Sequence, residues 1–86
     1  MKTVAKEIEM ICLFNSKGIM PIRFKYQEDD SSYKVIKVDK VITKNSEKLC
    51  GNIAFVYDCQ SVICGVERLF QLKYFISECR WVLFKI

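Results

Sequence analysis

The sequence predicts an all-β domain: a small, partly open antiparallel barrel of about six strands. Three observations lead there. Several runs alternate apolar and polar residues with a period of two, most strictly "IRFKYQ" at Ile22–Gln27. The run Tyr33–Lys44 carries Val35, Ile36, Val38, Val41 and Ile42, all β-branched, which stiffens χ1 and disfavours helix. Turn residues punctuate the chain at short intervals, and no strong helical segment stands between them.

The elements follow in order. "EIEMICLF" sets Glu7 and Glu9 against Ile8, Met10, Cys12 and Phe14, and "NSKG" (Asn15–Gly18) supplies the turn into "IRFKYQ", so the pair reads as a hairpin. Pro21 cannot donate a ladder hydrogen bond and belongs at a strand start or an edge. "EDDSS" (Glu28–Ser32) turns the chain into the third strand. There Lys34 and Lys40 share one face with Ile36, while Lys37 lies on the other with Val35; both faces are mixed, which suggests a bulge near Asp39. Thr43–Asn52 reads as the longest polar interruption, with Ser46 able to cap one helical turn. "IAFVYDC" is a fourth strand, "QSVICG" a loop or the residues around a tight bend, "VERLFQLKYF" a fifth strand, "SEC" a turn, and "RWVLFKI" a last strand too apolar for a frayed tail, which pairs centrally or closes the barrel. Strands at this spacing suit a Src-homology-3-like barrel or something similar.

Residues 1–86 form a single small β domain, because a chain this short cannot build two cores. At 51% apolar residues it can supply one. No apolar run approaches the ~20 residues of a membrane-spanning helix, and Glu7 and Glu9 fall where a signal peptide would be apolar. The expectation is a cytoplasmic protein with no membrane contact. Five cysteines, an odd number, fit free thiols in a reducing compartment. The net charge of +4 permits contact with a polyanion without demanding it.

The chain has no histidine, so the commonest general base and metal ligand is missing and no Cys–His or Ser–His pair can form. Cys59 and Cys64 are the one close cysteine pair, and a zinc site needs a second. No metal or other cofactor is therefore expected, and no enzyme. Cys12 and Cys59 continue apolar faces and read as core, whereas Cys64 falls in a loop and is the candidate reactive thiol. Glu28, Asp29 and Asp30 lack the spacing of a calcium loop and read as a solvated tip. What remains is basic side chains interleaved with aromatics: Arg23 and Lys25 opposite Phe24 and Tyr26, Lys73 opposite Phe70 and Tyr74, then Arg80 and Trp81. Small barrels bind single strands by stacking bases beside a basic groove. Any sheet with one wet face also shows Lys and Arg there, and a lone Trp is more often a core plug.

"PIRFKY", "YKVIKVDKV" and "YDCQSVICGVERLFQLKYFISECRWVLFKI" together resemble a family of short bacterial proteins of unknown function. The resemblance runs from Ile8 over nearly the whole chain. Its marks are the Cys59–Gln60–Ser61 turn, Gly65 with Glu67–Arg68, and Arg80–Trp81. It implies no catalytic or binding residues, and links such proteins to DNA-repair polymerase neighbourhoods. The opening "IRFKY" and the aromatic closing strand are also similar to a WYL-type barrel, but the tripeptide that names it is absent. The expected function is a non-catalytic binding module contacting nucleic acid or a nucleic-acid enzyme such as a DNA-repair protein. The alternative is a protein-interaction or self-associating module, a homo-oligomer without nucleic-acid contact. Candidate contacts are Arg23, Lys25, Lys73, Arg80 and Trp81.

Overall fold

A computed structural model describes all residues, Met1–Ile86. It holds seven strands: β1 (Thr3–Asn15), β2 (Gly18–Gln27), β3 (Tyr33–Lys37), β4 (Lys40–Leu49), β5 (Asn52–Ile63), β6 (Val66–Phe75) and β7 (Arg80–Lys85). One 3₁₀ turn, Ile76–Glu78, joins β6 to β7. All seven strands make one antiparallel sheet in the order β3-β2-β1-β7-β6-β5-β4.

The all-β expectation holds, but the barrel needs correcting. The sheet is not closed: β3 and β4 are its two edges and do not pair with each other. The single strand expected from Tyr33 onward divides at Val38–Asp39, the reason there are seven strands and not six. Three hydrogen bonds fix that break. The Ser61 hydroxyl donates to the Lys37 carbonyl at 2.7 Å and accepts from the Asp39 N–H at 3.0 Å. Asp39 Oδ2 accepts from the Val62 N–H at 2.9 Å. The chain thus leaves β2 on one edge and joins β5 on the other, by a break at Asp39 where a bulge was expected. The register irregularity comes later, between Val41 and Thr43.

Two further corrections concern polar stretches. Thr43–Leu49 is strand, with no helical turn at Ser46. Pairing with β5 outweighs its polarity, and β4 can be polar because, as an edge, it has one neighbour. Lys40, Lys44 and Lys48 along it discourage pairing with other chains. "QSVIC" is also strand through Ile63, so the Cys59–Gln60–Ser61 turn does not exist. The bends are the dipeptides Cys50–Gly51 (φ 52° and 82°) and Cys64–Gly65 (φ 52° and 77°), the second being the tight bend that stood as the alternative to a loop. Positive φ at both central residues is the type I′ geometry whose twist matches a two-residue hairpin.

The sheet curls so that one face becomes the interior. Ile8, Phe24, Ile36, Tyr57, Cys59, Phe70, Leu72, Trp81 and Leu83 form one buried cluster. The Tyr57 hydroxyl crosses the interior to donate to the Ile19 carbonyl on β2 at 2.6 Å. Trp81 packs on Tyr74 and Tyr57, with ring centroids 4.8 and 5.4 Å away. β7 lies between β1 and β6, so of the two places its apolarity left open it takes the central one. Cys59 is core as expected, whereas Cys12 is exposed. Cys12 keeps the inward parity of Ile8 and Met10, but it lies on the part of the β1–β2 arm that extends past β7, where little packs against it.

Candidate functional site

Register assigns the charged candidates to a common face. Residues paired across antiparallel strands point the same way. Arg23 pairs with Lys37 on β3 and Ile11 on β1; Lys25 pairs with Val35 and Glu9. Lys73 pairs with Val56 and Val82. The inward residues beside them are the core, so Arg23, Lys25, Lys73 and Arg80 all lie on the outer face; alternation had indicated this for the first three.

Their surroundings separate them. The Lys73 ammonium lies 3.1 Å from Glu47 Oε1 and 3.8 Å from the centroid of the Phe84 ring, and its side chain is only 12% exposed. This lysine is matched within the fold. Arg80 sits 3.2 Å from Glu78 and 3.9 Å from Glu7, with its guanidinium 5.0 Å from the Phe75 ring. Its Nε is buried without a hydrogen-bond partner. Trp81 is 7% exposed, so it serves the core.

A crease runs along the outer surface where β1 passes from β7 to β2, forming an open cavity of about 550 Å³. Lys25, Arg80 and Trp81 line it together, which brings three of the five candidates to one place. Glu7, Glu9 and Glu78 line it too, so its carboxylates outnumber its two cations. That balance does not favour a phosphate. Arg23 borders a neighbouring groove with Ile11, Lys25 and Val35.

Three of the cations without an ion pair lie together beside the crease, on β2 and β3. Arg23 and Lys37 stand directly opposite each other, and neither they nor Lys25 forms an ion pair. Like charges opposed across a ladder destabilise a sheet. The Lys25 ammonium sits 4.3 Å from the centroid of Tyr33, whose ring is on the same outer face and 62% exposed. Lys37 and Tyr33 are candidates that the sequence alone did not single out. The alternation had put Lys37 on the same side as Val35, but its pairing with Arg23 needs the strand register.

The rest of the surface offers little chemistry. No group of three or more Cys, Asp or Glu side chains could hold a metal ion. Asp30 accepts hydrogen bonds from the Ser32 hydroxyl and N–H, which hold its carboxyl below the usual range and stiffen the acidic tip. Burial, with a smaller push from Asp58, raises the Cys59 thiol to about 12. Cys64 is exposed, but so are Cys12, Cys50 and Cys79, so exposure does not mark it out. No family model, curated protein or solved structure matches the chain. The functional reading therefore rests on this geometry.

Proposed function

We propose that this protein is a non-catalytic binding module that contacts single-stranded nucleic acid through the outer face of β2 and β3. One observation carries the reading: Arg23 opposes Lys37 with no carboxylate on either. Such a pair costs stability in the free protein and becomes favourable once an anion lies between the two side chains. Lys25 adds a third cation, and the Tyr33 ring offers a face for a base to stack on. A nucleic-acid enzyme such as a DNA-repair protein would then be met on the same strand. The absence of histidine supports a role in binding over catalysis.

The test is titration of a fluorescent oligothymidylate at several salt concentrations. Binding should weaken linearly in a log–log plot, since phosphate contacts release counterions. Replacing Arg23 and Lys37 by glutamine should reduce that slope by ~1.4, at ~0.7 per single-strand contact. An absence of binding at low salt, or an unchanged slope, would refute the proposal.

A second reading, a protein-interaction module without nucleic-acid contact, has its own observation. Ile11, Leu13, Met20 and Val35 are aliphatic and exposed on the same side of β1, β2 and β3. Phosphates do not cover such surface, but another protein would. Binding to a protein that persists in high salt, with no oligonucleotide bound at low salt, would favour this reading over the first.

A further inference from the structure

The β1–β2 arm has two long sides, and they are treated differently. On the β2 side, Gly18–Ile22 has no strand neighbour beyond β1, since β3 pairs only with Arg23–Gln27. That side is nevertheless partly capped. The Ile22 carbonyl accepts from the Val38 N–H at 2.9 Å, the Ile19 carbonyl accepts from the Tyr57 hydroxyl at 2.6 Å, and Pro21 has no N–H to leave free.

On the β1 side nothing comparable is present. β1 pairs with β7 only as far as Ile8, opposite Trp81. From Glu9 to Asn15 its sole strand partner is β2. Alternate residues there turn their N–H and C=O away from β2 and toward no other strand. The side chains at this edge are Met10, Ile11, Cys12, Leu13 and Phe14, and all but Met10 are exposed. No lysine or proline interrupts Glu9–Asn15. β4, the other long edge, carries Lys40, Lys44 and Lys48. An apolar strand edge without such protection is a template for pairing with another chain.

We infer that the free edge of β1, Met10–Phe14, pairs antiparallel with the same edge of a second copy of this chain, with Cys12 on the two-fold axis. The segment suits its own reverse. Centred on Cys12, the register sets Met10 against Phe14, Ile11 against Leu13 and Glu9 against Asn15 of the second copy, in each direction. Every opposed pair is then apolar with apolar, except one carboxylate facing an amide, and no like charges meet. An isologous contact requires this self-matching. By contrast, self-contact through the β2–β3 face would oppose Arg23 and Lys37 to their own copies. Pairing at β1 leaves that cationic face outside the contact, so the inference stands whether or not nucleic acid binds.

Sedimentation of the full chain over concentrations up to roughly 100 µM should show a monomer–dimer equilibrium. Ile11→Lys and Leu13→Lys, both at exposed positions, should each raise the dimer dissociation constant roughly tenfold or more, by setting a charge against an apolar partner. Their far-ultraviolet circular dichroism should stay that of the parent. A second measurement does not depend on those variants. With Cys50, Cys64 and Cys79 changed to serine, a short bismaleimide should link two chains through Cys12, each thiol adding across one maleimide double bond. Cys12→Ser should abolish the link. A strict monomer at the highest concentration, whatever other protein the edge binds, overturns the inference. So does a dimer whose constant ignores both lysine variants, or one in which Cys12 does not cross-link.

Discussion

Ser61→Ala tests the corner that divides β3 from β4. The Ser61 side chain is 1% exposed, and its hydroxyl makes two bonds: to the Lys37 carbonyl at 2.7 Å and from the Asp39 N–H at 3.0 Å. A hydrogen bond of this kind contributes a net ~1 kcal/mol, and an orphaned buried group costs ~1–3 kcal/mol. Lys37 and Asp39 are exposed residues, so water can reach part of what alanine leaves unpaired. The lower end of the range applies, about 2 kcal/mol for the two bonds together. A domain of this length is stable by roughly 4–13 kcal/mol, so the loss is a substantial share. It should lower Tm by roughly 8–16 °C, at ~4–8 °C per kcal/mol for a chain of this size. Urea unfolding followed by the fluorescence of Trp81, the single tryptophan, should show a lower midpoint with an unchanged slope. Asp39→Ala removes the acceptor for the Val62 N–H. Because Ser61 also holds Asp39, the double variant should cost less than the sum of the two singles. A loss for Ser61→Ala below ~0.5 kcal/mol, the scale of an ordinary surface change, or strict additivity, would refute the idea that these bonds fix the corner.

Three other outcomes follow from the same geometry. Tyr57→Phe, which removes the hydrogen bond to Ile19, should cost about 1 kcal/mol, seen as a lower denaturation midpoint. Stability should fall as pH rises from about 9 to 12, because burial holds the Cys59 thiol (ordinarily 9.0) and the Tyr57 phenol (ordinarily 10.0) both at about 12. Over that window the unfolded chain loses protons that the folded chain keeps, which favours unfolding; the double variant Tyr57→Phe, Cys59→Ala should flatten the decline between pH 8 and pH 11. Gly51→Ala and Gly65→Ala meet no atom within 4 Å, so any loss comes from the backbone at φ 82° and 77° and should be about 1 kcal/mol each by thermal melting.

Maleimide labelling of the native protein at neutral pH should modify Cys12, Cys50, Cys64 and Cys79 and spare Cys59, which is 1% exposed. A rate for Cys64 far above the other three exposed thiols would revive it as a redox-sensitive residue. Equal rates would end that reading.

Much of the fold was legible because alternation and β-branching are local. "IRFKYQ" could be read as a strand with Phe24 inward, and "RWVLFKI" as a strand either central or closing a barrel, from side chains alone. Thr43–Leu49 could not, because its strand conformation comes from β5 beside it and not from its own residues. Cys12 misled for a related reason: parity tells which way a side chain points, but not whether anything lies there to cover it. Of the candidate contacts, the outward direction of Arg23, Lys25 and Lys73 was readable. Which of them are neutralised was less so: Glu47 lies far from Lys73 in sequence, as Glu7 does from Arg80, although the nearer partner of Arg80, Glu78, is its sequence neighbour.

The sequence by itself settled that this chain builds strands, which residues form the oily side of most of them, and that histidine chemistry is excluded. Tertiary structure alone decided that the sheet stays open, that β3 and β4 part at Asp39, that Arg23 faces Lys37, and that β1 runs past its neighbour with a bare edge. The physical reason is range. Backbone preference and side-chain parity act within a few residues, whereas register, ion pairing and edge exposure depend on segments that meet only when the sheet folds.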